Sequence, residues 1–193
     1  GDNGSGKTAL LKAIALALVG PDAARVLQPS LNGWIRDGCT EAVIAVEIAA
    51  DEPDRFSQGR PYEQPFWAEL HFSIGEGPQV AVRPGTKYRG KGKGPTHGPW
   101  VDNPTGWFCA GYGPFRRLYG ASSEAQRIMS GPGRIARFAT MFKEDATLIE
   151  CEEWLKDLRH KEHEGRPREK KILEQVQQLL KDDFLRNDMT VER

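Results

Sequence analysis

The sequence predicts an α/β fold on three observations: a glycine-rich opening that runs straight into an alanine- and leucine-rich helix, a group of period-two strands behind it, and a helical last third. At 193 residues, 38% of them hydrophobic, the chain can bury one sizeable core and need not be two domains. Its formal net charge is zero, so attraction to nucleic acid or another polyanion must come from a local patch. Cys39, Cys109 and Cys151 are odd in number and far apart, with no C-x-x-C pair. That pattern argues against a disulfide framework or a zinc site and for a reducing compartment, the cytoplasm. No apolar run approaches the roughly 18 residues needed to span a bilayer, so no membrane partner is expected.

The opening residues Gly1-Asp2-Asn3-Gly4-Ser5-Gly6-Lys7-Thr8 fill the pattern G-x-x-x-x-G-K-[ST] without a mismatch. Gly1, Gly4 and Gly6 permit turns that a Cβ would obstruct, so that successive backbone N–H groups converge on one cluster of phosphate oxygens. Lys7 adds an ammonium charge and is the catalytic candidate. Thr8 opens the helix with a hydroxyl for Mg²⁺, Ala9 completes the first turn, and the helix N-terminus adds its own partial positive charge. Gly1 to Ala9 are therefore the candidate nucleotide-binding residues, with Mg²⁺ as a cofactor; the resemblance given below implies ATP as the nucleotide. Thr8 to Val19 is apolar on nearly every side and stops at Gly20-Pro21, which predicts a buried helix. The apolar strand that should precede such a loop is missing from a sequence starting at the loop itself, so the chain reads as part of a longer protein. The competing account is a glycine-rich turn ahead of a core helix.

A polar connection is expected from Pro21 to Gly38. Glu41 to Ala49 then places Ala42, Ile44, Val46 and Ile48 on one side. Phe66, Ala68, Leu70, Phe72 and Ile74 alternate with Trp67, Glu69, His71 and Ser73, the cleanest period-two pattern in the chain. Gly75 to Pro78 turns the chain, and Gln79 to Arg83 returns with Val80 and Val82 inward. The sum is an antiparallel meander.

Pro84 to Pro99 is rich in glycine and lysine and cannot pack a core. It is either a solvated loop or a contact to a phosphate backbone, through Lys87, Arg89, Lys91 and Lys93 together with Arg116 and Arg117. Gly106 to Leu118 (GWFCAGYGPFRRL) reads as a short strand over Trp107 to Ala110 followed by a sharp exit at Gly111 to Pro114.

Ser122 to Met129 and Gly133 to Phe142 are short helices separated by Gly131-Pro132-Gly133. Thr147 is expected to cap a longer helix, with Glu150 at the capping-box offset and Leu148, Cys151, Trp154, Leu155 and Leu158 on one side. Gly165-Arg166-Pro167 breaks it, and Arg168 to Leu185 resumes to form a helical hairpin. Charges of alternating sign favour solvated faces with i,i+4 pairs. His160 and His163 lack a further evident ligand and read as surface histidines rather than a metal pair.

Asn3 to Thr8 and the run Trp34 to Ile48 (WIRDGCTEAVIAVEI) resemble the ABC-type ATPase superfamily, in particular its AAA-family branch of structural-maintenance-of-chromosomes and RecF-like proteins. The resemblance covers about the first quarter of the chain. It implies a P-loop nucleotide-binding core with an antiparallel β-subdomain over residues 1–121 and a helical region over 122–193. It further implies a head-to-head homodimer that sandwiches ATP and acts on DNA. GYGPFRR, FATMFKEDATL and the following Glu153-Trp154-Leu155 are similar to ATPase subunits of Septu-type and retron-associated anti-phage systems, which implies a partner nuclease. In this superfamily the exit from the strand carries a glutamine that senses Mg²⁺ and water; here no glutamine lies in this exit, and the nearest afterwards is Gln126. A strand ending in Asp-Glu and an L-S-G-G signature are also lacking, and in the family both follow the helical region, so this chain alone should not turn over ATP. A small-molecule kinase would share the loop but fits the long meander poorly, and a GTPase would need an N-K-x-D motif that is not present. A non-enzymatic nucleic-acid-binding module using the basic loop is the remaining class.

Overall fold

The computed structural model describes residues 6–31, 33–49, 51, 54, 65–74, 80–85, 95–102, 106–114, 120–147 and 149–181. Two compact units divide the chain, Gly1–Thr147 and Leu148–Arg193. The fold is mixed α/β, with a small antiparallel sheet and helices.

In the first unit, helix α1 (Lys7–Val19) is followed by α2 (Pro21–Leu27), which replaces the polar connection expected after Pro21. Pro21 at the first helical position and Asp22 in the first turn start α2, and Ala23, Ala24 and Leu27 are buried. Strands β1 (Glu41–Ile48), β2 (Phe66–Ile74) and β3 (Val80–Pro84) form a three-stranded antiparallel sheet in sequence order. Its register pairs Ile44 with Leu70 and Phe72 with Val82. The alternation places these strands correctly: Ala42, Ile44, Val46 and Ile48 turn inward, while Glu41, Val43, Ala45 and Glu47 are exposed. Ile74 is an exception, because the pattern runs one residue beyond the packed part of the face and leaves it exposed.

Helix α1 packs on β1 and β2, and its last two turns bury Ala15, Leu16, Ala17 and Val19 in the core with Phe66, Leu70, Phe72 and Val82. Trp34 stacks on Phe72 at 6.4 Å between ring centroids. The first half of α1 corrects the expectation of a wholly buried helix: Leu10 is 63% and Leu11 55% exposed.

The C-terminal end of α1 is closed by groups from far along the chain. Trp100 Nε1 donates to Ala17 O at 2.8 Å, and Arg134 Nη1 donates to Val19 O at 2.9 Å. These bonds satisfy carbonyls that a helix end leaves without intrahelical partners. Gly20 follows with φ 85 and ψ 171, a conformation almost confined to glycine, and a Cβ there would lie 2.8 Å from the Trp100 ring. Trp100 belongs to the segment after the 3-10 turn Pro95–His97.

Three short helices complete this unit: α3 (Ser123–Met129), α4 (Gly133–Ala136) and α5 (Ala139–Phe142). Ser122 caps α3 by accepting from Ala125 N at 3.1 Å. The helix expected over Gly133 to Phe142 is instead split at Arg137-Phe138, where Phe138 leaves the helical direction to bury its ring. These helices fall in the first compact unit rather than with the residues after 147. Arg134 of α4 ties to α1, and Lys12 of α1 lies 5.5 Å over the Phe142 ring of α5. Thr147 is buried in an isolated bridge, and its hydroxyl has no hydrogen-bond partner among the described residues, so the expected cap is not formed by them.

The second unit contains α6 (Ile149–His163) and α7 (Pro167–Leu179), joined at Gly165 with φ 80 and packed as a hairpin. Leu158 and Leu173 are buried, whereas Trp154 of the expected apolar stripe is 46% exposed. Lys156–Glu152 and Lys161–Asp157 are the i,i+4 pairs that the alternating charges imply.

Trp100→Phe keeps the ring but removes the donor to Ala17 O, and should cost about 1–3 kcal/mol in urea denaturation. Gly20→Ala, which meets the same ring and a strained φ, should cost at least as much; unchanged midpoints for both would contradict the closure described.

Candidate nucleotide-binding site

Of the nine nucleotide-binding candidates, Gly6, Lys7, Thr8 and Ala9 are described; Gly1, Asp2, Asn3, Gly4 and Ser5 lie outside the described residues. Gly6 sits at the N-cap of α1 with φ 78 and ψ 7, in the left-handed region, and no side chain caps the helix there. Among the described residues nothing lies within 4 Å of where a Gly6 Cβ would project, and the backbone angle itself favours glycine there. Gly6 O accepts from Leu10 N at 2.9 Å, the first hydrogen bond of the helix.

Lys7, Thr8 and Ala9 form an exposed first turn with no acidic residue in it. The N–H groups at the start of a helix have no intrahelical acceptors and carry the positive end of its dipole, an arrangement that favours an anion. Mg²⁺ at this turn would take Thr8 Oγ1 as its protein ligand and complete its shell with phosphate oxygens and water. Among the described residues no group of three His, Cys, Asp or Glu side chains could hold a metal ion, and His160 pairs with Glu164 at 3.5 Å.

The segment after residue 106 differs from its expected form. Trp107 to Ala110 joins no strand among the described residues. The chain instead lies against the α4–α5 region. Gly111 N donates to Arg137 O at 3.0 Å, and a Cβ on Gly113 would come within 2.0 Å of Thr140 O. Close backbone approach, more than a turn, is what these glycines provide. Phe108 and Tyr112 are exposed, with Arg137 5.0 Å over the Phe108 ring. Arg116 and Arg117 lie outside the described residues, as do Lys87, Arg89, Lys91 and Lys93.

The charged residues the sequence does not single out are Arg25 and Arg134. They are 109 positions apart, in unrelated local contexts, and no spacing rule joins them. The fold brings both to one cleft with Arg83.

No family model matches the chain, and no curated protein or solved structure matches it. No helix among the described residues is long and apolar enough to cross a membrane.

The titration of Cys109 is shifted. Burial raises its thiol above the ordinary range, opposed by a backbone hydrogen bond at Ala110 and by the Arg137 charge. The raised value leaves less thiolate at any given alkaline pH. Cys39 and Cys151, both exposed, should therefore be alkylated by iodoacetamide before Cys109 near pH 8.5, as read by peptide mass mapping. Preferential labelling of Cys109 would contradict its placement.

Proposed function

We propose that the chain is the N-terminal nucleotide-binding portion of a P-loop ATPase of the ABC-type, RecF-like class, and that it holds the phosphates of ATP at the start of α1. The observation that carries the reading is the junction of motif and geometry. G-x-x-x-x-G-K-[ST] runs without a break into a helix that starts at Lys7, and its last glycine is left-handed. Exposure of Lys7, Thr8 and Ala9 supports it further, because a phosphate must reach these groups from solvent.

In this reading the amides from Asn3 to Thr8 surround the β-phosphate, Lys7 spans the β- and γ-phosphates, and Thr8 Oγ1 ligates Mg²⁺. Bound Mg²⁺ offsets the charge of the phosphate oxygens. The three-stranded meander corresponds to the β-subdomain of such ATPases, and its role is to hold the buried end of α1. Hydrolysis belongs to the intact protein, where a carboxylate strand and a signature segment complete the site. There ATP closes a head-to-head dimer that acts on DNA or gates a partner nuclease, as in the Septu-type systems the sequence resembles.

Lys7→Ala in the full-length protein should reduce Mg-ATP affinity by at least about tenfold, the loss expected for one charge-assisted contact, and leave the circular dichroism spectrum intact. Unchanged affinity measured by calorimetry would refute the assignment.

A further inference from the structure

We propose that Arg25, Arg83 and Arg134 form a second anion site, which takes a phosphate group of a ligand in the cleft between α2, the end of β3 and the segment after the 3-10 turn. The proposal does not depend on the nucleotide site. Lys7 and Val19 are separated by about 18 Å along α1 at the standard helical rise, and Arg134 binds at the Val19 end.

The cleft has a volume of about 460 Å³, within the range of small-ligand sites. Its lining includes Val82, Trp100 and three arginines, with Asp22 as the one acidic residue among the described residues that line it. Arg25 is held from two sides: Nη1 pairs with Asp22 at 3.2 Å, and Nη2 donates to the Val82 carbonyl. Arg134 Nε pairs with Asp102 at 3.1 Å, and its Nη1 donates to Val19 O. A guanidinium has five N–H donors, and these contacts use two on each side chain, which leaves donors for a ligand.

A backbone carbonyl and a carboxylate thus fix the direction of each of these two cations, and with Arg83 the three guanidinium charges exceed the two paired carboxylates by one. Fixing a side chain before binding removes part of the entropic cost of the complex. Arg134 is only 19% exposed, so its charge acts across a poorly screened path. Arg83 supplies the third charge; it is exposed, and its side chain makes no hydrogen bond or ion pair with any described residue. Planar guanidinium groups match the oxygens of phosphate better than any other side chain does. The chemistry is shared by a small phosphorylated ligand and by the backbone of a nucleic-acid strand.

The test is calorimetric titration of the 193-residue chain carrying Lys7→Ala, with inorganic phosphate, AMP and a twelve-residue oligothymidylate as separate ligands. At least one should bind. Arg83→Glu, which breaks no described contact, should weaken that binding at least about tenfold with an unchanged circular dichroism spectrum. Arg134→Gln should act in the same direction. Binding of the oligonucleotide with neither phosphate nor AMP detectable assigns the site to a strand backbone, and Arg83→Glu should then lower the salt slope by about 0.7 or more. Binding of AMP or phosphate without further gain from the oligonucleotide assigns it to a small phosphorylated ligand. Binding of none of the three, or binding that both substitutions leave unchanged, overturns the proposal.

Discussion

The structure of the first unit depends on how the last carbonyls of α1 are satisfied. A helix that ends inside a protein must find donors for those groups or lose several kilocalories per mole to desolvation. Here the donors are an indole N–H from Trp100 and a guanidinium from Arg134. Each comes from a segment with no local reason to be near α1. Closing the helix therefore joins three distant parts of the chain around Gly20, where only glycine admits both the backbone angle and the approach of the Trp100 ring.

That constraint gives α1 two ends with different tasks. The closed end lies in the core beside the sheet, and Arg134 there faces a cleft that it shares with Arg25 and Arg83. The opposite end is exposed and carries the left-handed Gly6. The sheet supports the buried half through Leu70, Phe72 and Val82 and leaves Leu10 and Leu11 uncovered. Even on the far side of β2 a polar group is committed to structure: Glu69 is buried against Gly85 and bonded to His71. One helix thus links the core to an exposed first turn.

The sequence discloses much of this where the physics is local. Strands β1 and β2 follow from alternation alone, the end of α1 from Gly20-Pro21, and the break between α6 and α7 from Gly165 and Pro167. Non-local causes were hidden. Helix α2 is short and alanine-rich, so its buried face has too few large residues to announce itself, although Pro21 and Asp22 were valid start signals. Trp107 to Ala110 has strand composition, yet Gly111 and Gly113 settle the segment against Arg137 and Thr140 instead. At the candidate nucleotide site the motif identifies residue types and the helix start, whereas the Arg25–Arg83–Arg134 cleft exists only once the chain has folded.

The most direct test of a phosphate-gripping start to α1 is the response of individual backbone amides. In a ¹⁵N-resolved spectrum of the chain, added Mg-ATP should shift the signals of Gly6, Lys7, Thr8 and Ala9 in a saturable manner and leave the core of β2 unmoved. Shifts absent from that turn at millimolar nucleotide, or confined to residues around Arg83, would contradict it.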